Sequence, residues 1–453
     1  MVNPNTVLLI AVLASFSTPF MLSSINIALP AMALELSLDA MGMGWVSLSF
    51  LLAAAALLVP MGRAADVFGR KRFFAAGFVI FTAASLFCGL ASTQAQLLAA
   101  RFLQGVGSSM IFGTAVAILT SVFPPERRGS AIGWVSASVY IGLSLGPPLG
   151  GLLVQHLSWR AIFLINVPLG LLVLFLVRKG LRGAEWRGAA GEPYDLAGAL
   201  LYSASVAALM YGLSAITEPR GQATAAFGAA ALILFLRRET GVAHPVLNAR
   251  LFRSNRVFAF SNLAAFLSYS ASFASGFLLS LYLQFSMGLS PRQAGFALVC
   301  QPLFMVVISP WAGRLSDRRD PGVIASLGMA LTAAGILLFS GPQHGLPLWR
   351  VLAGLCVLGI GLGLFAAPNT NAVMGSVEKR YYSLASATLA TMRITGQMFS
   401  MAVVMLLFSV FVGRIRLGPE NHEALGRAFS AGVWVFSALA AGGIFASLNR
   451  RRS

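Results

Sequence analysis

Long uncharged apolar runs recur along the whole chain, and they constrain its fold more than any other feature. A helix needs about 20 apolar residues to cross a bilayer. A chain of 453 residues with a mean hydropathy of +0.80 has room for a dozen or more such helices. Only 10% of its residues are charged, whereas soluble domains have about 25%. The sequence therefore predicts an all-α membrane protein with little length left for a soluble domain.

Charged or Pro/Gly-rich breaks divide the chain into fourteen predicted spans. They cover residues 6–34, 42–61, 73–91, 96–122, 131–155, 160–177, 196–216, 221–236, 257–286, 292–312, 322–340, 349–374, 385–411 and 428–448. Because the eighth run is short, a re-entrant hairpin, or a twelve-helix chain with a long middle loop, stays open as an alternative. The three cysteines lie in apolar runs without metal-ligand spacing, and they predict neither a disulfide nor a metal site.

The net charge of +18 is explained by membrane topology and does not require nucleic acid as a partner. Cytoplasmic loops of membrane proteins collect Lys and Arg. With both termini inside, 23 of the 32 basic residues fall in cytoplasmic loops or the C-terminal tail and seven fall in external loops. The remaining two, Arg101 and Arg393, lie within predicted spans. We therefore expect a multi-pass protein of the inner (plasma) membrane with both termini in the cytoplasm.

An internal repeat divides the chain into two parts. The sequence GRAADVFGRKR (62–72) follows the second span, and GRLSDRRDPG (313–322) follows the tenth, so both loops share Gly-Arg-x-x-Asp. This predicts two six-helix halves, residues 1–180 and 251–453, joined by a linker with two extra spans, residues 181–250. Repeats of this kind place a substrate path between the halves, near the middle of the membrane.

Three motifs resemble signatures of the major facilitator superfamily. The loop at 62–72 resembles G-x-x-x-D-(R/K)-x-G-(R/K)-(R/K), with Val67 in place of the usual basic residue. RFLQGVG (101–107) resembles R-x-x-Q-G-x-G, and GLSLGPPLGG (142–151) resembles G-x-x-x-G-P-x-x-G-G, the antiporter signature of the superfamily's exporters. With its fourteen spans, the chain resembles the fourteen-helix drug:proton antiporter branch of this superfamily.

The resemblance implies a major facilitator fold and a role for each motif. The two loop copies would form a cytoplasmic latch between the halves, with Gly62, Asp66, Gly69, Arg70, Asp317 and Arg318 as its residues. The antiporter-type motif would consist of Gly142, Gly146, Pro147, Gly150 and Gly151. Glycines three or four apart also allow close helix packing, so packing alone is the alternative role for this motif.

One departure from the family pattern concerns the coupling ion. The branch commonly has an acidic residue in the first helix, where this chain has Met21, and all fourteen acids fall in loops or at span ends. Membrane proton relays usually need Asp, Glu or His at membrane depth. The proton is therefore a candidate coupling ion without an obvious carrier residue.

The candidate cavity residues are polar or cationic side chains within the spans. They are Ser23, Asn26, Arg101, Gln104, Asn262, Tyr269, Gln301, Asn369, Arg393 and Gln397. Because a cation at membrane depth is costly, we expect both arginines to face protein or water. Interhelical hydrogen bonding is the alternative role for the Asn, Gln and Tyr side chains, and snorkelling to the interface is the alternative for Arg101.

These features predict a secondary transporter that exports amphipathic small molecules by alternating access. Neutral or anionic substrates are favoured because the spans contain arginines and no acid. A lipid or lipid-conjugate translocator is the alternative within transport. A membrane-embedded enzyme is disfavoured because the spans have no cluster of catalytic or metal-binding side chains, and ATP-driven pumping is disfavoured because a Walker motif is absent. We expect a monomer in the bilayer without a cofactor.

Overall fold

The computed structural model describes residues 3–247, 250–341, 346–378, 382–417 and 422–451. These ranges consist of helices, turns and loops without a strand, so the all-α prediction is confirmed. Within them, twelve helical segments are long and apolar enough to cross a membrane. The two other predicted spans are also helices, Pro219–Glu239 and Pro321–Leu337, the first less apolar and the second shorter.

The first six spans are formed by seven helices. They are α1 (Pro4–Leu36), α2 (Ala40–Phe68), α3 (Arg70–Leu90), α4 (Gln94–Val122), α5 (Pro125–His156), α6 (Arg160–Leu164) and α7 (Asn166–Gly180). Side chains of Asn3, Asp39 and Thr93 accept hydrogen bonds from the first turns of α1, α2 and α4, and these caps fix where the three helices begin. The helices α6 and α7 continue one span, interrupted where Pro168 lacks the N–H that would bond the Leu164 carbonyl.

The extra pair of helices forms an antiparallel hairpin, α8 (Leu196–Ser214) and α9 (Pro219–Glu239). Two glycines allow its backbones to touch, since a Cβ at Gly212 would overlap the backbone of Ala225, and one at Gly228 would overlap the backbone of Leu209. With 21 residues, α9 is about 31 Å long, which is sufficient to cross the hydrocarbon core. The predicted eighth span is therefore present as a helix of membrane-crossing length.

The second set of spans is formed by seven helices, and the short helix α10 (Arg250–Ser254) precedes them. The seven are α11 (Arg256–Leu281), α12 (Pro291–Leu298), α13 (Cys300–Ser316), α14 (Pro321–Leu337), α15 (Leu348–Gly375), α16 (Tyr382–Phe411) and α17 (His422–Leu448). A π-helical turn, Tyr282–Ser286, extends α11. The helices α12 and α13 form one span, interrupted at Val299. The cause is Pro302, which has no N–H to donate to the Leu298 carbonyl.

Helix packing repeats between the two sets of spans. In the first set α1 packs on α5, α2 packs on α4, and α3 packs on α4 and α7. In the second set the equivalent helices make the same pairs, α11 with α16, α13 with α15, and α14 with α15 and α17. This correspondence supports the proposed division into two halves, which we call the first half (α1–α7) and the second half (α11–α17).

The bundle has two distinct ends. The end at which α1 begins also holds the 62–72 and 313–322 loops and the end of α17. We call it the loop-motif end. The opposite end holds the α1–α2, α5–α6, α8–α9 and α16–α17 connections, and we call it the closed end for the contacts described below.

Candidate functional site

A cavity of about 340 Å³ lies between the two halves. Its walls come from α1, α2, α4 and α5 of the first half and from α11, α12, α13, α15 and α16 of the second. The contributions of α4, α5, α15 and α16 lie in the parts of these helices nearer the loop-motif end. The cavity therefore extends from the middle of the bundle toward that end.

The structure places seven of the ten candidate cavity residues on the cavity wall. They are Ser23, Asn26, Tyr269, Gln301, Asn369, Arg393 and Gln397. They come from α1, α11, α13, α15 and α16, so the wall combines polar groups from both halves. The other candidates, Arg101, Gln104 and Asn262, are fully buried among helices and are not part of the wall.

Arg101 lies behind the cavity wall. Its Nε donates to the Val46 carbonyl at 2.9 Å, and its Nη1 donates to Gln104 Oε1 at 2.6 Å. The guanidinium stacks on Phe50, 4.5 Å from the ring centroid, and it is this ring that lines the cavity. Gln104 in turn donates to Ser85 Oγ at 2.7 Å. The expected position of Arg101 and Gln104 in the cavity is thus corrected: their polar groups join α2, α3 and α4.

The first-helix position that is usually acidic also lies behind the wall. The Met21 sulfur is 3.5 Å from Arg101 Nη1, and Met21 is fully buried. An acid at this position would therefore pair with Arg101 inside the first half and would not face the cavity. Asn262 is buried in the same manner in the second half, where its Nδ2 donates to the Phe258 carbonyl at 2.9 Å.

Arg393 is the charged residue of the cavity wall among the described residues. Its Cζ lies 5.7 Å from the ring centroid of Phe112, which belongs to α4 of the first half. It also interacts with the Tyr269 hydroxyl of α11. Gln397 follows one turn later on the same face of α16. One cation, two aromatic side chains and an amide thus meet in the cavity, and Arg393 contacts both halves.

Sequence reasoning missed the cavity face of α5. Tyr140 lines the cavity beside Tyr269 and Arg393, and its hydroxyl contacts Ser309 of α13 across the two halves. Ser136 and Leu143 lie on the same face. The sequence did contain a signal for this face. The glycines of α5 mark the face that packs on a neighbouring helix, so the residues on the opposite face are available to line the cavity.

The antiporter-type motif packs α5 against α1. A Cβ at Gly142 would lie 2.7 Å from the Phe16 carbonyl oxygen, and one at Gly150 would lie 3.0 Å from Ser24 Cα. Between them, Ser24 Oγ donates to the Gly146 carbonyl at 2.9 Å. Gly142, Gly146 and Gly150 therefore form the packing stripe within the first half.

The end of the same motif contacts the second half. A Cβ at Gly151 would collide with the Pro291 carbonyl oxygen, and one at Gly295 would collide with the Pro147 carbonyl oxygen. Helices α5 and α12 therefore approach so closely that a side chain at either glycine would collide with the backbone of the other helix. At the closed end the two halves meet along two lines of contact, which we call seams, and this contact closes the seam between α5 and α12.

The other seam, between α2 and α16, is also shut at the closed end. A Cβ at Gly44 would overlap the Met405 sulfur, and the Ala40 N–H donates to the Ile415 carbonyl at 3.0 Å. Above the cavity, Ser280 Oγ donates to the Asn26 carbonyl at 2.6 Å. These contacts between the halves close the cavity at the closed end, and together we call them the roof.

The first loop motif is bound within its own half and to the linker. Asp66 Oδ1 accepts from Arg70 Nε at 2.6 Å, and Arg70 Nη1 donates to Ser121 Oγ of α4 at 2.9 Å. The Arg70 N–H donates to the Trp186 carbonyl at 2.9 Å. Gly69 has φ +131°, and a Cβ there would meet the Glu185 carboxyl group. Gly62 instead faces Gly113 of α4, which allows α2 and α4 to approach closely.

The second copy is likewise bound within its own half. Asn371 Nδ2 donates to Ser316 Oγ at 2.6 Å and lies 3.4 Å from Asp317 Oδ1. Arg318 is exposed. The contacts described for the two copies stay within one half or reach the linker, and none of these contacts joins the two halves, so the latch between the halves stays a prediction.

One charge pair fastens the linker to the first half, and a second holds the two helices of the hairpin together. Arg63 Nη2 lies 2.5 Å from Glu192 Oε2, and the Arg63 guanidinium holds the pKa of that carboxyl below its usual range. Arg238 donates to both oxygens of Asp195, at 2.5 and 2.9 Å, and lowers the pKa of Asp195 in the same manner. Tyr202 and Ser203 of α8 donate to carbonyls of α2. One of these carbonyls is that of Ala56, which has no helical N–H donor because Pro60, four residues later, lacks an N–H.

A comparison with protein-family models identifies the family of this chain. The model of the Major Facilitator Superfamily matches residues 11–393, with a second match at 261–452. The chain belongs to the major facilitator superfamily. The predicted fold class is thereby confirmed, and the enzyme hypothesis is wrong because the members of this superfamily are transporters. The protein is a multi-pass membrane transporter of small molecules.

The relatives of this chain include an export protein, a multidrug resistance protein and a riboflavin transporter. The chain is 34% identical over 416 residues to the cephamycin export protein CmcT of Amycolatopsis lactamdurans, covering 88% of this chain and 84% of the relative. It is 30% identical over 407 residues to the multidrug resistance protein Stp of Mycobacterium tuberculosis, covering 88% and 74%. It is also 30% identical over 393 residues to the riboflavin transporter RibZ of Clostridioides difficile, covering 85% and 84%.

A solved structure shows the same fold. It is a bacterial homolog of the human lysosomal transporter Spinster, in an inward-facing and unoccupied conformation. The TM-score is 0.70 at 18% sequence identity, and the alignment covers 99% of this chain and 98% of the other.

Proposed function

We propose that this member of the superfamily is a secondary active exporter of amphipathic small molecules that are neutral or anionic. One observation carries the proposal: the described cavity wall combines one cation, Arg393, with aromatic and apolar side chains and contains no carboxylate. A cationic drug entering such a cavity would lose its hydration without gaining a counter-charge, which is unfavourable in a medium of low dielectric constant.

The mechanism is alternating access around this cavity. The loop-motif end is assigned to the cytoplasm because it carries most of the basic residues. The cavity then opens to the cytoplasm, and the roof at the closed end separates it from the outside. Export requires the roof contacts to part while the loop-motif end closes. The transporter functions as a monomer in this proposal, because both halves that form the cavity belong to one chain.

Transport by purified protein in liposomes tests this function. Anionic, neutral and permanently cationic amphiphiles are compared, with a lipid-like substrate and a pH gradient of either sign as further arms. We expect transport of anionic and neutral compounds, and anion transport that is reduced but still measurable in Arg393→Gln. Strong transport of a quaternary ammonium dye, together with unchanged anion transport in Arg393→Gln, would contradict the proposal. Transport restricted to the lipid-like compound would favour a lipid translocator.

A matched pair of variants tests whether the cavity charge sets the selectivity. Asn26→Asp places a carboxylate on the cavity wall without changing the size of the side chain, so it should shift preference toward lipophilic cations. Met21→Asp adds the same charge behind the wall, next to Arg101, and should leave the preference for anions in place. An equal shift in both variants would show that selectivity is not set at the cavity wall.

A further inference from the structure

The charge of Arg393 is a fixed property of the cavity. A guanidinium is not deprotonated in proteins, so the cavity retains one positive charge whether or not substrate is bound. The titratable groups that face Arg393 are the phenols of Tyr269 and Tyr140, which are neutral at neutral pH. The Phe112 ring on the opposite half supplies a cation–π contact but no neutralising charge.

The acidic side chains of the described residues lie away from this cavity. Glu239 is buried, but it lies at the end of α9 and accepts a hydrogen bond from the Leu247 N–H at 2.7 Å. Glu35 pairs with Arg160 at 2.5 Å at the closed end, and Asp66 pairs with Arg70 at the loop-motif end. No described carboxylate or imidazole therefore lies on the wall where substrate and a proton could compete for one site.

We infer that the membrane potential, and not a proton gradient, drives the export of anionic substrates by this carrier. The inference rests on the proposed function. The unloaded cavity carries the positive charge of Arg393, and a bound monoanion makes the loaded cavity neutral. In a cell with a negative interior, the field draws the unloaded, positive cavity back to the cytoplasmic side. Each complete cycle then moves one negative charge outward, and no bond forms or breaks.

The driving force is large enough for export. A potential of 100 mV acting on one elementary charge corresponds to a concentration ratio of about fifty-fold. This ratio is reached without any proton movement. The loaded step, in which the two charges cancel, should be nearly independent of voltage, whereas the return of the unloaded carrier should depend on it.

Accumulation of pyrene-1-sulfonate in proteoliposomes tests the energy source. This amphipathic anion stays ionised at every pH used, so a pH gradient cannot act on the probe itself. Potassium gradients with valinomycin set the potential, and buffers set the pH gradient separately, with protein-free liposomes as the leak control. We expect about fifty-fold accumulation at 100 mV, interior positive, and none from a tenfold proton gradient at zero potential. The equilibrium ratio does not depend on how the protein is oriented in the vesicle.

Exchange of labelled for unlabelled probe tests the role of Arg393. Exchange uses the loaded carrier alone, so in the wild type it should not change with voltage. In Arg393→Gln the loaded cavity would be negative, and exchange should become voltage-dependent even if affinity falls. Arg393→Lys keeps the charge and should behave as the wild type.

The outcomes separate this inference from the proposed function. Exchange that proceeds while accumulation follows the pH gradient and ignores voltage would overturn the inference and leave the anion exporter intact. Wild-type protein that exchanges no pyrene-1-sulfonate, but transports other amphiphiles, would overturn the proposed preference for anions and the inference with it. Exchange in Arg393→Gln that is as voltage-independent as in the wild type would show that Arg393 is not the charge that moves.

Discussion

The contacts that join the two halves at the closed end differ in kind from the contacts at the loop-motif end. At the closed end the halves meet through backbone and uncharged groups, such as Gly151 against the Pro291 carbonyl and Ser280 against the Asn26 carbonyl. At the loop-motif end, charged pairs such as Asp66–Arg70 and Asp195–Arg238 join parts of the first half, its linker and the hairpin.

This difference is the one that the proposed alternating-access cycle requires. A charged hydrogen bond costs more to break than a neutral one, and a buried charge left without its partner is costly. Charge pairs therefore suit contacts that persist, within a rigid half. Close packing without charge suits a gate, because its surfaces can part without leaving ions unpaired.

Gly151→Ala should have the largest effect on this distinction. The added Cβ would collide with backbone of α12, which has no flexible end to move aside, so the closed end cannot fully shut. Overpacking of about 1–3 kcal/mol predicts a shift of about 5- to 150-fold toward the outward-open state. Spin-label distances between the outer ends of α5 and α12 measure it. Gly133→Ala on the same helix is the matched control, since no atom lies within 4 Å of its added Cβ. Equal behaviour of the two variants would refute the packing gate.

Asp66→Asn should have the next largest effect, on rate and not on binding. The substitution weakens the charge pair with Arg70 at the loop-motif end, away from the cavity wall. A cost of about 1 kcal/mol for a partly exposed charged hydrogen bond predicts transport slowed about fivefold with substrate affinity unchanged. Equilibrium binding and transport rate are measured on the same preparation. Parallel loss of both would point to misfolding or a direct role in binding.

Gly44→Ala tests the second seam of the closed end and should act more weakly than Gly151→Ala. Its added Cβ meets the sulfur of Met405, a flexible side chain that can move to another rotamer. We expect a shift of about twofold toward the outward-open state, read from spin labels on α2 and α16. A shift as large as that of Gly151→Ala would show that both seams are equally rigid.

Arg238→Gln should have the smallest effect, and it should depend on pH. The guanidinium lowers the pKa of Asp195 in the folded protein, so the pair stabilises the fold at neutral pH, and this stabilisation is lost as the pH falls through that lowered pKa. The variant should lose about 0.5–1 kcal/mol near pH 7 and differ little from the wild type well below pH 4. Thermal unfolding across this pH range measures it. Arg237→Gln removes an exposed charge in the same turn and is the control; a pH-independent difference would argue against the ion pair.

The sequence by itself determined the membrane class and the helical spans, and it contained the repeated loop motif that predicts two halves. These features follow from composition and from hydrophobic runs, which depend on the solvent around a helix and not on its neighbours. The break within the span of α12 and α13 was not predicted, although Pro302, which causes it, was visible in the sequence.

Only the tertiary structure decided which polar side chains face the cavity. Arg101 and Arg393 both appear as cations inside apolar runs, yet Arg101 is buried against Gln104 and Met21, while Arg393 lines the cavity. The direction of a side chain depends on the rotation of its helix, and that rotation is set by neighbours far away in sequence, such as α1 against the glycine stripe of α5. The sequence thus supplied the charges, and packing between distant helices decided which of them a substrate can meet.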